Sequence, residues 1–304
     1  MCIRDRPYAD PHAPRFRPCS AVLLPCWSEV NRPVATIVFF HAHPDDEASS
    51  TAGSMARAAA LGHRVVVVFA THGEHGQVPD DLADGETLTD RRRREAMASA
   101  AVLGISRVEW LGYSDSGMTG WDQNGHPAAF HQAGLLEAGL KLASILDREA
   151  ADIVVGYDWH GGYGHPDHVK VHQVLHEGAR LAARRPRVLE STMNRDVMRG
   201  LYAAAVAAGM ADQAWDPDQP MDDGNPLGTP ESEITWAVDV SDVLARKRAA
   251  LEAHGSQRSD IEGMLGLPPE IFALVFGSEH YIEPGIAPGL RAGWPFGSAE
   301  PGAG

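Results

Sequence analysis

The sequence predicts an α/β protein: a doubly wound, mostly parallel sheet in three layers, with a looser C-terminal α+β extension. Three observations carry this. Val34 to Phe40, Val65 to Ala70 and Asp152 to Tyr157 are largely apolar runs rich in β-branched residues, the signature of strands covered on both faces. Helical segments separate them. The connections are short, and such strand–helix alternation builds parallel sheets with helices on either side.

The elements follow in order. Ser49 to Leu61 reads as a helix of small residues closed by Gly62. After the second strand, Thr71 to Leu88 is a loop rich in Gly, Asp and Pro. Asp90 to Leu103 is helical and stops at Gly104. Val108 to Leu111 is a short strand, and Gly112 to Pro127 a second loop. Ala128 to Glu149 is a long helix, and another runs from Pro166 to Arg184 behind the strand that ends at Tyr157. Beyond residue 185 the pattern loosens. Val188 to Thr192 and Ile234 to Val240 read as strands. Val197 to Ala208, Val243 to His254 and Glu270 to Phe276 read as helices, and Asp212 to Glu231 as a loop or flap.

A chain of 304 residues, 44% hydrophobic and 22% charged, can bury a sizeable core. Residues 31–283 are expected to form a single domain, residues 1–30 a disordered or non-native extension, and residues 284–304, rich in Gly and Pro, a flexible tail. The net charge of −15 argues against a nucleic-acid partner, which calls for a basic surface. No apolar run approaches the roughly 20 residues of a membrane span. Cys2, Cys19 and Cys26 have no CxxC spacing and are odd in number, so neither a zinc ribbon nor a disulfide framework is indicated. A cytoplasmic protein is expected, and a homo-oligomer is compatible with this composition.

Where the first strand runs out stands His41-Ala-His43-Pro44-Asp45-Asp46-Glu47. Ligands of open α/β sheets bind outside the carboxyl ends of the strands. Imidazole and carboxylate are the ligand types of a catalytic zinc, which keeps three protein ligands and an open position. The spacing His43-x-x-Asp46 can bring both side chains to one ion, leaving Asp45 beside it as a base. A lone acid there would merely favour a helix N-terminus. Three acids in a row repel one another unless a cation offsets them.

A second polar cluster, Gly161-Gly162-Tyr163-Gly164-His165-Pro166-Asp167-His168, follows the strand ending at Tyr157. Glycines permit a tight turn, and Pro166 suits the first position of a helix. His165 and His168 then share one face of that helix. If the two clusters face each other, His43, Asp46 and His168 complete a three-ligand zinc site and His165 remains free to act. Asp167 is expected to hold the His165 tautomer as a supporting carboxylate. His172 and His176 continue the stripe and read as satisfied helix histidines.

These paired motifs, "AHPDDE" and "HPDH", resemble those of the N-acetylglucosaminylphosphatidylinositol de-N-acetylase (PIG-L, LmbE-like) family, over about residues 34–283. The resemblance implies a Rossmann-like hydrolase with one Zn2+, taking a small-molecule N-acetylated amino sugar as substrate. By motif, His43, Asp46 and His168 match the zinc ligands and Asp45 the general base. His165 matches a histidine that stabilises the oxyanion or protonates the amine. "GGYGHPDH" and "LGYSDSGM" further resemble the mycothiol-pathway branch. There Tyr163 would match a tyrosine that polarises the substrate carbonyl, and Asp115 an acid contacting sugar hydroxyls. Ser49-Ser50-Thr51 stand where conjugate amidases of that branch carry a lysine, which favours a deacetylase over an amidase of mycothiol-like S-conjugates.

Of the basic run Arg91 to Arg94, Arg94 is expected to reach a phosphate or an inositol hydroxyl. Trp121 is the better candidate than Trp159 for stacking on a sugar ring. Two rival readings remain. His41-x-His43-x-Asp45 mimics the start of a metallo-β-lactamase motif, but Asp46 stands where that motif needs histidine. A sugar-binding module without turnover would use the acids alone, and no G-x-G-x-x-G follows the first strand to mark a dinucleotide binder.

Overall fold

The computed structural model describes residues 34–210, 215–221 and 223–297. Residues 1–30, read above as an extension, lie outside them. Eight strands form one sheet in the order β3-β2-β1-β4-β5-β7-β6-β8. In chain order they are β1 (Thr36–His41), β2 (Arg64–Phe69), β3 (Arg107–Trp110), β4 (Ile153–Tyr157), β5 (Arg187–Thr192), β6 (Trp236–Asp239), β7 (Ser278–Ile282) and β8 (Arg291–Ala292). The first five run parallel, and β7 pairs antiparallel with both β5 and β6.

Alternation along the strands builds two cores. Ile37, Phe39, Val65 and Val67 point to one face, against α1 (Asp46–Ser50), α2 (Ala52–Ala60), α3 (Leu88–Leu103) and α7 (Leu244–Ala253). Val38, Phe40, Val66 and Val68 point to the other, where Leu142 of α4 (Leu135–Glu149) and Val171, Val174 and Leu175 of α5 (Pro166–Leu181) cover them. The result is the expected doubly wound, three-layered α/β sheet. The remaining helices are α6 (Arg195–Ala207), α8 (Arg258–Leu265) and α9 (Pro269–Phe276).

Several expectations are corrected. The small-residue helix is two helices, broken at Thr51, whose φ of −132° is not helical. The helix expected from Ala128 begins only at Leu135, after a short turn at Phe130–Gln132. Residues 284–297 are not a loose tail: β8 joins β6, and Phe296 is fully buried with its ring 5.8 Å from Phe39 and 5.3 Å from Tyr281. Its burial removes a large aromatic surface from water, which outweighs the turn-prone composition around it. Among the described residues no helix is long and apolar enough to cross a membrane.

Strand order reverses between β1 and β4. From β1 the chain moves out to β2 and β3 on one side, and from β4 to β5 on the other. The carboxyl ends of these two adjacent strands therefore form the crevice where α/β sheets bind ligands.

Candidate active site

Beyond β1 the chain turns sharply through His43-Pro44-Asp45 before α1 begins. Asp45 adopts φ 100°, ψ −32°, a left-handed conformation that L side chains avoid and that costs on the order of 1–3 kcal/mol. Neighbours hold it there. Its own N–H donates to Glu47 Oε2 (2.9 Å), and the Arg92 guanidinium donates to Asp45 Oδ2 (2.8 Å), to Gly73 O (2.6 Å) and to Pro44 O. Glu47 is itself fixed from beneath: Ser99 Oγ donates to Oε1 (2.6 Å), and His254 Nε2 lies 2.6 Å from the same atom.

The second cluster is delivered by β4. Past Tyr157 the chain makes a glycine turn in which Gly161, Gly162 and Gly164 all have positive φ. At Gly161 no side chain fits, because a Cβ would stand 2.3 Å from His168 Cβ. α5 then starts with Pro166 at its first turn and His165 as its N-cap. The Asp167 N–H donates to His165 Nδ1 (3.1 Å), so the ring proton of neutral His165 sits on Nε2. His168 stacks on Tyr157 at 4.6 Å and 21°, with Nδ1 3.2 Å from Gly161 O.

The two clusters meet. Asp46 spans two imidazoles through separate oxygens, Oδ2 3.3 Å from His43 Nδ1 and Oδ1 3.3 Å from His168 Nε2. The far nitrogens are engaged elsewhere: His168 Nδ1 by Gly161 O, and His43 Nε2 by Asp167 Oδ2 (3.2 Å) and Asp115 Oδ1 (3.5 Å). Thus His43 Nδ1, Asp46 and His168 Nε2 are turned toward one another, with outer partners fixing each ring as ligating histidines require. His165 joins from the side, and ligand atoms of His43, His165 and His168 all lie within 4.8 Å of one another. Tyr163 Oη is 3.5 Å from His168 Nε2.

The electrostatics are those of a cation site. Burial opposes charge on His43, yet Asp115, Asp167 and Asp46 together hold it well above its ordinary pKa. Asp46, though buried, is held well below the usual carboxylate range by His168 and His43. Asp45 keeps 27% of its side chain exposed; the burial of the rest pushes its carboxyl up to about 6 against the pull of Arg92. Burial, with His43 and His168 nearby, takes His165 down to about 3, so near neutral pH it is an uncharged donor. The donor set fits a zinc-type divalent ion.

Two expectations about supporting residues are corrected. Arg94 does not face the site: its side chain is 60% exposed and pairs with Glu86. Two residues along a helix turn about 200°, so Arg92, only 3% exposed, is the one directed inward. The Asp167 carboxylate supports His43 and Ser116, and only its backbone N–H hydrogen-bonds His165, because His43 Nε2 with the Ser116 N–H and hydroxyl take up both carboxylate oxygens. Asp115 lies 3.5 Å from His43 and accepts the N–H groups of Gly117 (2.8 Å) and His75 (3.1 Å). It also lines an adjoining cleft of about 670 Å3 with Glu74, His75, Ser114, Asp122 and His126. His41 stays apart, buried between Tyr157 Oη (2.9 Å) and Thr51 Oγ1 (3.0 Å), as a strand-end residue. Trp121 and Trp159 are half exposed. Sequence reasoning missed Arg92, Ser99, Ser116 and His254. Nothing in the sequence singles out His254, and Gln257 just beyond it serves the loop at Gln77 (2.9 Å).

Comparison with known proteins agrees with this geometry. Residues 38–178 match the family model described as PIG-L: GlcNAc-PI de-N-acetylase. The chain is 37% identical over 272 residues to a 1D-myo-inositol 2-acetamido-2-deoxy-alpha-D-glucopyranoside deacetylase of Acidothermus cellulolyticus, covering 82% of this chain and 88% of that one. An enzyme of the same name from Thermobispora bispora is 35% identical, covering 86% and 92%. Among solved structures, the fold is shared with the conserved protein TT1542 of Thermus thermophilus (TM-score 0.52, 19% identity, 83% and 95% covered). It is shared too with N,N'-diacetylchitobiose deacetylase of Pyrococcus horikoshii (TM-score 0.51, 21% identity, 81% and 82% covered). With both sequence clusters converging on one buried centre and such identity across nearly whole relatives, the chain belongs to the GlcNAc-PI de-N-acetylase (PIG-L) family.

Proposed function

We propose that this protein is a zinc-dependent hydrolase that removes the acetyl group from an N-acetylglucosamine-type conjugate, with an N-acetylglucosaminyl-inositol as the first substrate to try. The observation that carries the reading is Asp46 facing His43 and His168 while Asp45 stands beside them in a strained backbone. The names of the two relatives support the substrate class.

His43, Asp46 and His168 would hold the ion. When bound, zinc lowers the pKa of a water toward neutrality and polarises an acyl oxygen. The chain's own groups do the rest. Asp45, with its raised pKa, accepts the proton of the attacking water, and a base poised near the working pH does this well. Arg92 orients that carboxylate from the far side. His165 Nε2–H, neutral and with its Nδ1 held by the Asp167 amide, would donate a hydrogen bond to the developing oxyanion, and Tyr163 Oη, 3.5 Å from His168 Nε2, would assist it. The proton that Asp45 collects is the one the departing amine needs. Asp115 and the cleft beside it would receive the sugar and its aglycone, with the carboxylates of Glu74, Asp115 and Asp122 on its wall to meet hydroxyl groups.

The test is a panel of N-acetylglucosaminides assayed for free amine with and without chelator. Amine release that chelation abolishes and zinc restores supports the reading. A product with its acetyl group intact and its glycosidic bond cut would overturn it. Asp45→Asn should keep its zinc and lose on the order of 10²–10⁴ in kcat, and wild-type turnover in that variant removes Asp45 as the base.

A further inference from the structure

The histidine stripe of α5 does not end at the active site. His172 and His176 lie about one and two turns beyond His168 on the same helix face, and both approach Glu190 of β5. His176 Nε2 is 2.7 Å from Glu190 Oε1, and His172 Nδ1 is 3.7 Å from the same oxygen. The two rings meet edge-on with centroids 4.7 Å apart. One ligand atom from each of the three residues lies within 4.8 Å of the other two. The Glu190 side chain is 10% exposed, and no Lys or Arg pairs with it among the described residues. A buried carboxylate calls for a cation, and here one imidazole hydrogen-bonds it while a nitrogen of a second lies 3.7 Å away.

We propose that His172, His176 and Glu190 form a second metal site, separate from the first, for a divalent ion of the zinc, cobalt or nickel type. Zinc bonds of about 2.0–2.2 Å set tetrahedral donors about 3.4 Å apart, and the separations of 2.7 and 3.7 Å bracket that value. Histidines at i and i+4 are how a helix presents two ligands to zinc, and a carboxylate from a neighbouring element completes a His2Glu set. Two imidazoles disfavour Mg2+ and Ca2+, which prefer all-oxygen shells. On binding, His172 Nδ1 exchanges its hydrogen bond to Tyr157 O (3.1 Å) for the ion, and its ring proton moves to Nε2. The histidines are 23% and 35% exposed at the side chain, so the fourth position opens to water. The ion ties α5 to β5, bracing from behind the helix that carries His165 and His168.

The full chain, dialysed against excess zinc and counted by atomic emission, should hold one more ion than the His172→Ala/His176→Ala double variant. Both proteins keep His43, Asp46 and His168, so the difference is independent of how the first site is read. Glu190→Gln preserves the shape of the cluster and should weaken the extra ion by about 100-fold or more. Equal zinc content in wild type and double variant overturns the proposal. Should the variants fail to fold, zinc-soaked wild-type crystals decide the matter by anomalous scattering: a peak between His172, His176 and Glu190 is expected, and its absence overturns the second site.

Discussion

At the scale of single residues, Asp45 matters as much for its backbone as for its carboxylate. A positive φ at a non-glycine residue persists only when its surroundings over-determine it, and here Glu47 and Arg92 do so from two sides. Glu47 is 1% exposed and His254 not exposed at all. The Glu47 charge raises the pKa of His254 against the effect of burial, while His254 in turn lowers that of Glu47. Replacing Glu47 by Ala would strand His254, the Ser99 hydroxyl and the Asp45 amide at once. Glu47→Ala should lose about 3–5 kcal/mol in urea unfolding, the usual consequence of breaking a buried pair from one side. In whatever folded fraction remains, kcat should fall more than zinc content, because the residue acts through Asp45. Unchanged stability would show that the cluster beneath Asp45 is not holding the turn. This layer was hidden in the sequence. The acids of "HPDDE" advertise a cation, but nothing marks a serine and a histidine 52 and 207 positions away as the support of Glu47. Arg94 was the wrong choice for a related reason: a run of four arginines cannot say which one the helix turns inward.

At the scale of elements, the central strands were legible because both of their faces are covered, which leaves continuous apolar runs that composition alone reveals. β7 was not. Its inward residues are Glu279 and Tyr281, so the alternation exists in burial but not in hydrophobicity. The break between α1 and α2 was equally silent, since Ser49-Ser50-Thr51 sits in a run that small residues keep helix-compatible throughout. The glycine turn before α5, by contrast, announced itself. Its physical reason is contact rather than flexibility: at Gly161 a Cβ would press on both the Cβ and the main-chain carbon of His168, at 2.3 and 2.7 Å. Gly161→Ala, at φ +66°, should therefore displace His168 together with the carbonyl that holds its Nδ1. The expected outcome is a zinc affinity lowered by roughly 10–100-fold, the usual effect of disturbing the outer support of a ligating histidine. Calorimetric titration of the stripped protein checks it, and wild-type affinity would mean that the turn can yield without moving the ligand.

Across the whole molecule, the C-terminal extension serves as the far wall of the active-site half. β7 adds antiparallel to β5, α7 lies over α1, α2 and α3, and His254 descends from the end of α7 to Glu47. The polar knot that joins these pieces is Glu279. It accepts the N–H groups of Gly53 and Ser54 at the start of α2 (2.8 Å each), the Tyr281 hydroxyl (3.1 Å) and the Lys247 ammonium (2.7 Å). Lys247 and Glu279 are 1% and 2% exposed at the side chain, so neither charge has water to fall back on. A pair this deep need not be more stabilising than apolar residues of the same volume, yet removing one partner leaves the other uncompensated. Lys247→Met preserves the length and packing of the aliphatic stem against Phe276, whose ring lies 5.4 Å from the ammonium, and deletes only the charge. It should destabilise the protein by about 3–5 kcal/mol in denaturant unfolding. Glu279→Gln in the same background should recover part of that loss, because the charge left unpaired in the single variant is then gone. Full additivity of the two substitutions would mean that Lys247 and Glu279 are not coupled, and that the extension is held to the sheet by its apolar contacts alone.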